Sequence, residues 1–152
     1  MYDNKQYILT GATGSLGQIT VNWMYERGAR NFVMIGRTPL LEGEERKNMT
    51  SDYKYYFQVR YIEELEKKGC RVQYVAMDIT DAEAVKGLVE KIHDSVLPIG
   101  GVVHIAGVVR DKMMFQMTQE DFDIVYNTKV KGAWLLSKYL WDDDLDFFMM
   151  YS

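Results

Sequence analysis

Short apolar runs alternate along the chain with longer segments of helical period, and this alternation restricts the fold more than any other feature. A strand–helix–strand order is typical of βαβ units around a parallel sheet. Because the runs are continuously apolar, they suit strands that helices cover on both faces. We predict an α/β fold with a doubly wound parallel sheet and five strands, at residues 7–10, 31–35, 71–76, 101–104 and 146–151.

Four segments between these strands have apolar residues at helical spacing. The predicted inner faces are Leu16, Ile19, Trp23 and Met24; Tyr56, Val59, Ile62 and Leu65 within residues 52–68; Val85, Leu88, Val89 and Ile92; and Phe122, Val125, Tyr126, Val130, Ala133 and Trp134. Residues 80–83 predict a capping box, and the last helix is expected to start near Thr118 with Asp121 in its first turn.

One segment, from Thr38 to Ser51, interrupts the alternation. It follows the second predicted strand and holds a proline, a glycine and a cluster of charged residues. Such a composition is typical of irregular surface structure. We therefore predict a surface excursion in this segment.

Composition excludes several classes of protein. The chain has 152 residues, of which 47% are hydrophobic and 26% charged, and this fits one globular domain rather than a disordered chain. The single cysteine, Cys70, excludes an intrachain disulfide, and neither histidine has a neighbour at metal-ligand spacing, so no metal is predicted. The net charge of −4 offers no positive field for nucleic acid. No apolar stretch approaches the roughly 20 residues of a membrane helix, and we expect a cytoplasmic protein with no membrane partner.

The first predicted strand runs directly into a glycine-rich loop, TGATGSLG, at residues 10–17. Glycines between a first strand and a first helix permit a tight turn and a close approach of the backbone to a ligand. The free N–H groups at the helix start, with the positive end of the helix dipole, bind a pyrophosphate. The loop predicts a Rossmann-like dinucleotide site; a glycine-rich turn without a ligand is the alternative. The candidate binding residues are Gly11, Thr13, Gly14, Ser15, Leu16 and Gly17.

The second strand ends without the acidic residue that an NAD site uses to bind the ribose 2′-hydroxyl. Arg37 stands there instead. A guanidinium suits a 2′-phosphate, which it contacts through charge-assisted and bidentate hydrogen bonds. The sequence therefore favours NADP(H) over NAD, and a solvated loop arginine is the alternative interpretation.

Further candidates follow the third and fourth strands, at the carboxyl edge where doubly wound sheets bind ligands. Asp78 and Ile79 follow the third strand. The Asp78 carboxylate can accept the adenine amino group, or it can support the turn into the next helix. Ala106 and Gly107 follow the fourth strand and bring small residues to the place where the backbone must lie close to the cofactor. His104 is interpreted as a packed strand-end histidine rather than as an acid or base.

Six segments, in this order, resemble the short-chain dehydrogenase/reductase superfamily and, more narrowly, the ketoreductase domain of a modular polyketide synthase. They are TGATGSLG (10–17), IGR (35–37), MDITD (77–81), GGVVHIAGVVRDKMM (100–114), TKVKGAW (128–134) and LDFFMMYS (145–152). The excursion with residues 56–72, and the VRD at 109–111, are most similar to bacterial trans-acyltransferase or hybrid synthases. The resemblance implies that residues 1–152 are the NADP-binding N-terminal part of the catalytic subdomain, truncated before the later strands.

The resemblance also implies site residues. Lys129 precedes Gly132 by three positions and matches the catalytic lysine of these ketoreductases. A lysine beside a tyrosine favours the phenolate and lowers a pKa that starts near ~10. Asp111 matches the last position of a Leu-Asp-Asp motif that accompanies one product configuration; a local salt bridge to a basic neighbour is the alternative. Ser152 matches the first of two consecutive serines, so the catalytic serine and tyrosine are expected beyond residue 152.

The implied activity is NADPH-dependent reduction of a β-ketoacyl thioester to the β-hydroxyacyl thioester. The implied partners are an acyl carrier protein, with the substrate on its phosphopantetheine arm, and neighbouring synthase domains. The isolated chain is expected to bind NADP weakly and not to turn over. Two alternatives remain open: a non-catalytic or half-domain association module, and an extended short-chain epimerase or dehydratase that acts on nucleotide sugars. The second shares the glycine loop but does not predict Lys129 before Gly132.

Overall fold

A computed structural model describes all residues from 1 to 152 and shows a five-stranded parallel sheet with helices on both faces. The strands are β1 (Gln6–Thr10), β2 (Asn31–Gly36), β3 (Arg71–Ala76), β4 (Ile99–His104) and β5 (Phe147–Met150). Their order in the sheet is β3-β2-β1-β4-β5, and every neighbouring pair is parallel. The predicted fold class is confirmed, and the predicted strand bounds differ by one or two residues at most.

Six α-helices connect or flank the strands. They are α1 (Ser15–Glu26), α2 (Gly43–Lys47), α3 (Tyr56–Lys67), α4 (Ala82–His93), α5 (Gln119–Tyr126) and α6 (Gly132–Tyr139). A π-helical segment, Asn127–Lys131, joins α5 to α6, and a short 3₁₀ turn, Met114–Gln116, precedes α5. The helix α2 lies in the predicted surface excursion and was not expected. No helix is both long and apolar enough to cross a membrane.

Two apolar clusters fill the spaces above and below the sheet. Successive side chains of β1 alternate between them: Tyr7 and Leu9 pack with residues of α1 and α3, whereas Ile8 packs with residues of α4 and α6. All three are fully buried. Because a central parallel strand is covered on both faces, its sequence is apolar at consecutive positions, which is the pattern seen in YILT.

The predicted inner face of α1 is wrong except at Met24. The residues that face the sheet are Gly17, Thr20, Val21 and Met24. Ile19 is 67% exposed, and Trp23 lies on the surface under the Arg27 guanidinium, 4.1 Å from its ring centroid. A Cβ at Gly17 would lie 2.3 Å from the Gly11 carbonyl oxygen. Gly17 therefore lets α1 approach the loop this closely, and the face that carries Gly17 is the one that turns inward.

The predicted inner face of the last helix is also wrong for most of its residues, although Ala133 is buried as predicted and Val125 is half-buried. The buried residues of this region are Asp121, Thr128, Gly132, Ala133, Leu135, Leu136 and Leu140. The aromatic stripe does not face the sheet, and Phe122, Tyr126, Val130 and Trp134 are exposed. A Cβ at Gly132 would lie 3.0 Å from both His104 and Ile79. Again, the stripe that packs is the one whose small residues allow close contact with the sheet.

The start of α4 is capped one residue later than predicted. The Asp81 carboxylate accepts the N–H groups of Glu83 and Ala84, at 3.0 and 3.2 Å, so Asp81 is the N-cap. Thr80 instead donates both its N–H and its hydroxyl to Asp78. The predicted inner face of α4 is confirmed, since Val85, Leu88, Val89 and Ile92 are all buried.

The start of α5 is capped as predicted. The Thr118 hydroxyl accepts the Asp121 N–H at 3.2 Å, and the Asp121 carboxylate accepts the Thr118 N–H at 3.1 Å. The Lys112 ammonium donates to the same carboxylate at 2.6 Å. This capping box therefore ties the loop after β4 to the first turn of α5.

We expect the stability contribution of Asp121 to depend on pH. Hydrogen bonds from Lys112 and Thr118 lower the pKa of Asp121 to about 2, whereas an unfolded aspartate titrates near ~3.9. Because the folded-state pKa is the lower one, the contribution is complete above about pH 4 and is lost as the pH falls through about 2. Thermal melts should show Asp121→Asn less stable than wild type near neutral pH, with the difference closing in acid. Asp123→Asn is the control; a pH-independent difference for Asp121→Asn would contradict the prediction.

A pair of glycine substitutions tests the close packing of α1 on the loop. Gly17→Ala should destabilise the chain by about 1–3 kcal/mol, because its Cβ would meet backbone atoms that cannot move aside. Gly87→Ala is the matched control, since Gly87 lies inside α4 with open space around it. That change should stabilise the chain by about 0.5–1 kcal/mol through helix propensity. Denaturant melts measure both values, and equal effects of the two substitutions would refute the packing argument.

Candidate functional site

A cleft of about 680 Å³ opens at the carboxyl end of the sheet, where the strand order reverses between β1 and β4. Its size is in the range of small-molecule and cofactor pockets, and its position is the switch point at which doubly wound sheets bind ligands. The structure brings all but one of the predicted site residues together here. Those lining the cleft are Gly11, Thr13, Gly14, Ser15, Leu16, Gly17, Arg37, Asp78, Ile79, Ala106, Gly107 and Lys129.

The glycine loop presents the start of α1 to this cleft. Gly11 has a positive φ of 70°, which a residue with a side chain rarely adopts. The N-cap of α1 is Gly14, and no side chain caps the helix there. The first N–H groups of the helix therefore keep no intrahelical or side-chain partner and, with the positive end of the helix dipole, can bind an anion.

The residues after β4 form the floor of the cleft. The Thr10 hydroxyl oxygen accepts the N–H groups of Ile105 and Ala106, at 3.1 and 3.0 Å. A Cβ at Gly11 would lie 3.0 Å from the Ala106 nitrogen, so the loop and the floor are in van der Waals contact. Gly11 therefore has to lack a side chain for the loop to lie this close to the backbone of the floor.

Lys129 reaches the same cleft from the π-helical segment. A Cβ at Gly107 would lie 3.1 Å from the Lys129 Cε atom, so the aliphatic part of this lysine lies across the floor. Lys129 is half-buried and takes part in none of the ion pairs of the chain. Insertions of π-helix inside α-helices are frequent at functional sites. The segment therefore holds an unpaired positive charge at the wall of the cleft.

Asp78 and Arg37 lie at the opposite end of the cleft. Asp78 Oδ1 accepts both the N–H and the hydroxyl of Thr80 at 2.8 Å, and so it supports the turn into α4. These bonds, the backbone one first, and the charges of Arg37 and Lys131 lower the pKa of Asp78. Because both bonds use Oδ1, the Oδ2 atom of this ionised carboxylate is available to a ligand. The turn-support interpretation is confirmed, and the adenine contact stays a prediction.

Two residues that the sequence did not indicate lie at the Arg37 end of the cleft. Tyr55 and Gln58, from the start of α3, line the cleft together with Thr38. The nearby Thr38 side chain and the Lys54 ammonium hold the pKa of the Tyr55 phenol below its ordinary value. No periodicity or motif marks these residues, because they reach the cleft only when the excursion folds back over β2 and β3.

Tyr74 on β3 holds this end of the cleft in place. Its hydroxyl donates to the Thr38 carbonyl at 2.8 Å. The ring crosses Gly36, where a Cβ would lie 2.2 Å from the Tyr74 oxygen. The glycine at the end of β2 is therefore needed for Tyr74 to fix the segment that follows Arg37.

Asp111 is the one predicted site residue that does not line the cleft. It is exposed in the loop after β4, whose neighbours Val108 and Val109 do line the cleft. The adjacent Lys112 pairs with Asp121 and not with Asp111. The stereochemical role of Asp111 stays a prediction, and the alternative salt bridge to this lysine is not formed.

Tyr151 and Ser152 reach the cleft from the end of β5. The Tyr151 and Thr20 hydroxyl groups lie 3.2 Å apart in a hydrogen bond, and the ring packs against the apolar cluster under α1. Tyr151 is thus held by α1, and Ser152 continues along the rim of the cleft beyond it.

The chain is similar to known proteins over nearly its whole length. Residues 5–152 match the family model of the KR domain. The hybrid PKS-NRPS synthetase gkaA of Penicillium citrinum is 37% identical over 149 residues, which make up 98% of this chain and 3% of that protein. The equisetin synthetase eqxS of Fusarium heterosporum is 35% identical with the same coverage. The chain therefore spans a few per cent of the length of these relatives. Both relatives are fungal, so they do not support the predicted bacterial trans-acyltransferase type, which stays a prediction.

Solved structures show the same fold over almost all of this chain. A ketoreductase domain from the bacillaene assembly line has a TM-score of 0.83 and 30% identity, covering 99% of this chain and 33% of that chain. An N-terminal ketoreductase from the macrolactin assembly line has a TM-score of 0.83 and 26% identity, covering 98% of this chain and 28% of that chain. The predicted resemblance is thus confirmed: the chain belongs to the KR domain family, the ketoreductases of polyketide synthases.

Proposed function

We propose that this chain forms the NADPH-binding half of a ketoreductase that converts a β-ketoacyl thioester to the β-hydroxyacyl thioester. The observation that carries the proposal is the meeting of three features in one cleft: the uncapped start of α1, the close contact of Gly11 with Ala106, and Lys129 across Gly107. The start of α1 would bind a pyrophosphate. The contact of Gly11 with Ala106 would let the cofactor lie close to the backbone, and Lys129 would supply a positive charge.

The residues that line the cleft offer a contact for each polar part of NADPH. The pyrophosphate would lie at the start of α1, and Arg37 would contact the 2′-phosphate with the Thr38 hydroxyl and the Tyr55 phenol beside it. The open Oδ2 atom of Asp78 would accept the adenine amino group. No carboxylate ends β2, where it would repel the 2′-phosphate. When bound, the cofactor supplies the hydride.

Lys129 would assist proton transfer in this reaction. A positive charge beside a tyrosine favours the phenolate and lowers the pKa of the phenol, which makes the phenol a better proton donor near neutral pH. By the family resemblance, a tyrosine that donates the proton and a serine that binds the ketone oxygen would complete the site. The Ala106–Gly107 floor would cover one face of the nicotinamide with backbone, which would leave the opposite face to the substrate.

The proposed partners are an acyl carrier protein and neighbouring synthase domains. The chain matches only a few per cent of multidomain PKS-NRPS synthetases, which supports a place among other domains of one assembly line. A β-ketoacyl group would reach the cleft as a thioester on the phosphopantetheine arm of the carrier protein.

A second candidate function is an association module. Two observations favour it. Phe122, Tyr126 and Trp134 form an exposed aromatic stripe. The edge strand β5 has only half-buried and exposed residues, whereas parallel sheets are normally covered on both faces. Size-exclusion chromatography of the chain across a concentration range tests this candidate, and a concentration-independent monomer would contradict it. The nucleotide-sugar epimerase alternative has no support from the family match.

Removing the Arg37 guanidinium should weaken NADPH selectively. A charge-assisted hydrogen bond contributes about 1.5–3 kcal/mol, so Arg37→Ala should raise the Kd for NADPH by about 10- to 100-fold. The Kd for NADH should stay within about twofold of wild type, because NADH has no 2′-phosphate. Arg27→Ala is the control, since Arg27 stacks on Trp23 outside the cleft. Fluorescence titration measures each Kd, and an equal loss of NADPH and NADH affinity would refute the assignment.

The isolated chain of residues 1–152 should bind NADPH without reducing a substrate. Its cleft contains the proposed cofactor contacts and Lys129, whereas the proton donor is expected elsewhere. NADPH fluorescence titration should show saturable binding, and an assay with a β-keto thioester analogue should show no NADPH oxidation above background. Measurable turnover by the isolated chain would contradict the claim that its active site is incomplete.

A further inference from the structure

His104 forms hydrogen bonds both to the end of β1 and to the π-helical segment. It is the last residue of β4 and is 1% exposed. Its Nδ1 atom lies 2.8 Å from the Thr10 hydroxyl at the end of β1, and its Nε2 atom lies 3.0 Å from the Thr128 carbonyl oxygen in the π-helical segment. The imidazole therefore bridges the strand that leads into the glycine loop and the turn that carries Lys129.

The neighbouring bonds determine which nitrogen carries the proton. The Thr10 oxygen already accepts the N–H groups of Ile105 and Ala106, so its own hydrogen is directed to His104 Nδ1. The Thr128 carbonyl can only accept, so His104 Nε2 donates to it. Burial lowers the pKa of His104, which keeps the ring neutral. A neutral imidazole with its hydrogen on Nε2 satisfies every one of these bonds.

The π-helical segment supplies the carbonyl that His104 needs. In an α-helix, the Gly132 N–H would donate to the carbonyl four residues earlier, which belongs to Thr128. Here the Gly132 N–H donates to Asn127, five residues earlier. The Thr128 carbonyl therefore lacks the Gly132 N–H as a donor, and His104 Nε2 donates to this carbonyl instead.

Gly132 makes room for this replacement. A Cβ on Gly132 would lie 3.0 Å from His104 Cε1. The imidazole edge thus lies in a notch of the helix directly beside the turn that it bonds. Lys129 follows Thr128 in that turn, and its side chain leads from there across Gly107.

We propose that His104 is a positioning residue, which holds the Lys129 turn through the Thr128 carbonyl and holds the Ala106–Gly107 floor through Thr10. The proposal rests on the proposed function of Lys129 in ketone reduction. His104 acts through the Thr128 carbonyl and the Thr10 hydroxyl, and it does not itself line the cleft. The two nitrogens have separate tasks: Nε2 places the lysine, and Nδ1 keeps the Thr10 oxygen directed at the floor.

Two substitutions separate these tasks in the full protein. The amide of Asn occupies the place of the imidazole Nδ1, so His104→Asn retains a partner for Thr10 and loses the bond to Thr128. The longer Gln places an N–H near Nε2, so His104→Gln retains the bond to Thr128 and loses the one to Thr10. His93→Asn and His93→Gln are the matched controls, because His93 is the other histidine of the chain and bonds Asp143 on the surface.

Amide hydrogen exchange without cofactor gives the first readout. With His104→Asn, the Gly132 amide should exchange about tenfold faster while the Ile105 and Ala106 amides stay protected. With His104→Gln, the pattern should be reversed. If both variants change the exchange rates of the Gly132 amide and of the Ile105 and Ala106 amides to the same extent, the two nitrogens do not have separate tasks and the proposal is overturned. If neither variant folds, nitrogen-15 NMR of the wild-type imidazole decides: a hydrogen on Nε2 is expected, and one on Nδ1 would overturn the proposal.

Kinetics give the second readout and separate this proposal from the proposed function. With a β-keto thioester, His104→Asn should lower kcat by about tenfold or more at an unchanged Kd for NADPH, whereas His104→Gln should chiefly raise that Kd. If the wild-type protein is active and the His104→Asn variant retains the wild-type kcat, the positioning role of His104 is overturned. An inactive wild-type protein would instead refute the proposed function, and the exchange pattern would still test the bridge.

Discussion

The hydrogen bonds of Thr10 are the interaction on which the rest of this structure depends. Its carbonyl and hydroxyl oxygens accept N–H groups from the segment after β4, and its hydroxyl hydrogen is directed at His104. Since β1 and β4 flank the point where strand order reverses, one side chain joins the two halves of the sheet at the mouth of the cleft. The glycine loop, the floor and the Lys129 turn all hold their relative positions through this residue or its histidine partner.

Close contact is the second constraint, and glycines provide it. The loop touches the floor at Gly11, α1 touches the loop at Gly17, the helix receives His104 at Gly132, and Lys129 crosses Gly107. At each of these four positions a Cβ would lie 3.1 Å or less from a neighbouring atom. Interiors packed this closely transmit small displacements instead of absorbing them. The cleft is therefore shaped chiefly by backbone, while side chains such as Arg37 and Lys129 add charge at its two ends.

The sequence predicted elements better than it predicted their faces. The glycine loop, the five strands and the start of α5 at Thr118 follow from local signals and were found correctly. The inner faces of α1 and of the last helix were not, because each helix has two apolar stripes and hydrophobicity favours the bulkier one. Ile19 and Phe122 belong to such stripes and are 67% and 53% exposed. The stripe that packs is set by how closely the helix must approach the sheet, and that distance is not a local property.

The candidate site shows the same difference between what the local sequence indicates and what only the packing decides. The sequence by itself placed the glycine loop, Arg37, Asp78 and the small floor residues at the cleft, because each follows a strand end, whereas Lys129 was indicated only by the family resemblance. Only the tertiary structure brought Tyr55 and Gln58 to the Arg37 end and left Asp111 outside the cleft wall. His104 is the packed strand-end histidine that the sequence predicted, and only the tertiary structure showed its two hydrogen bonds. The physical reason is that the hydrogen bonds of His104 to Thr10 and to Thr128, which are far apart in the sequence, depend on how sheet and helices pack, and no pattern of neighbouring residues records that packing.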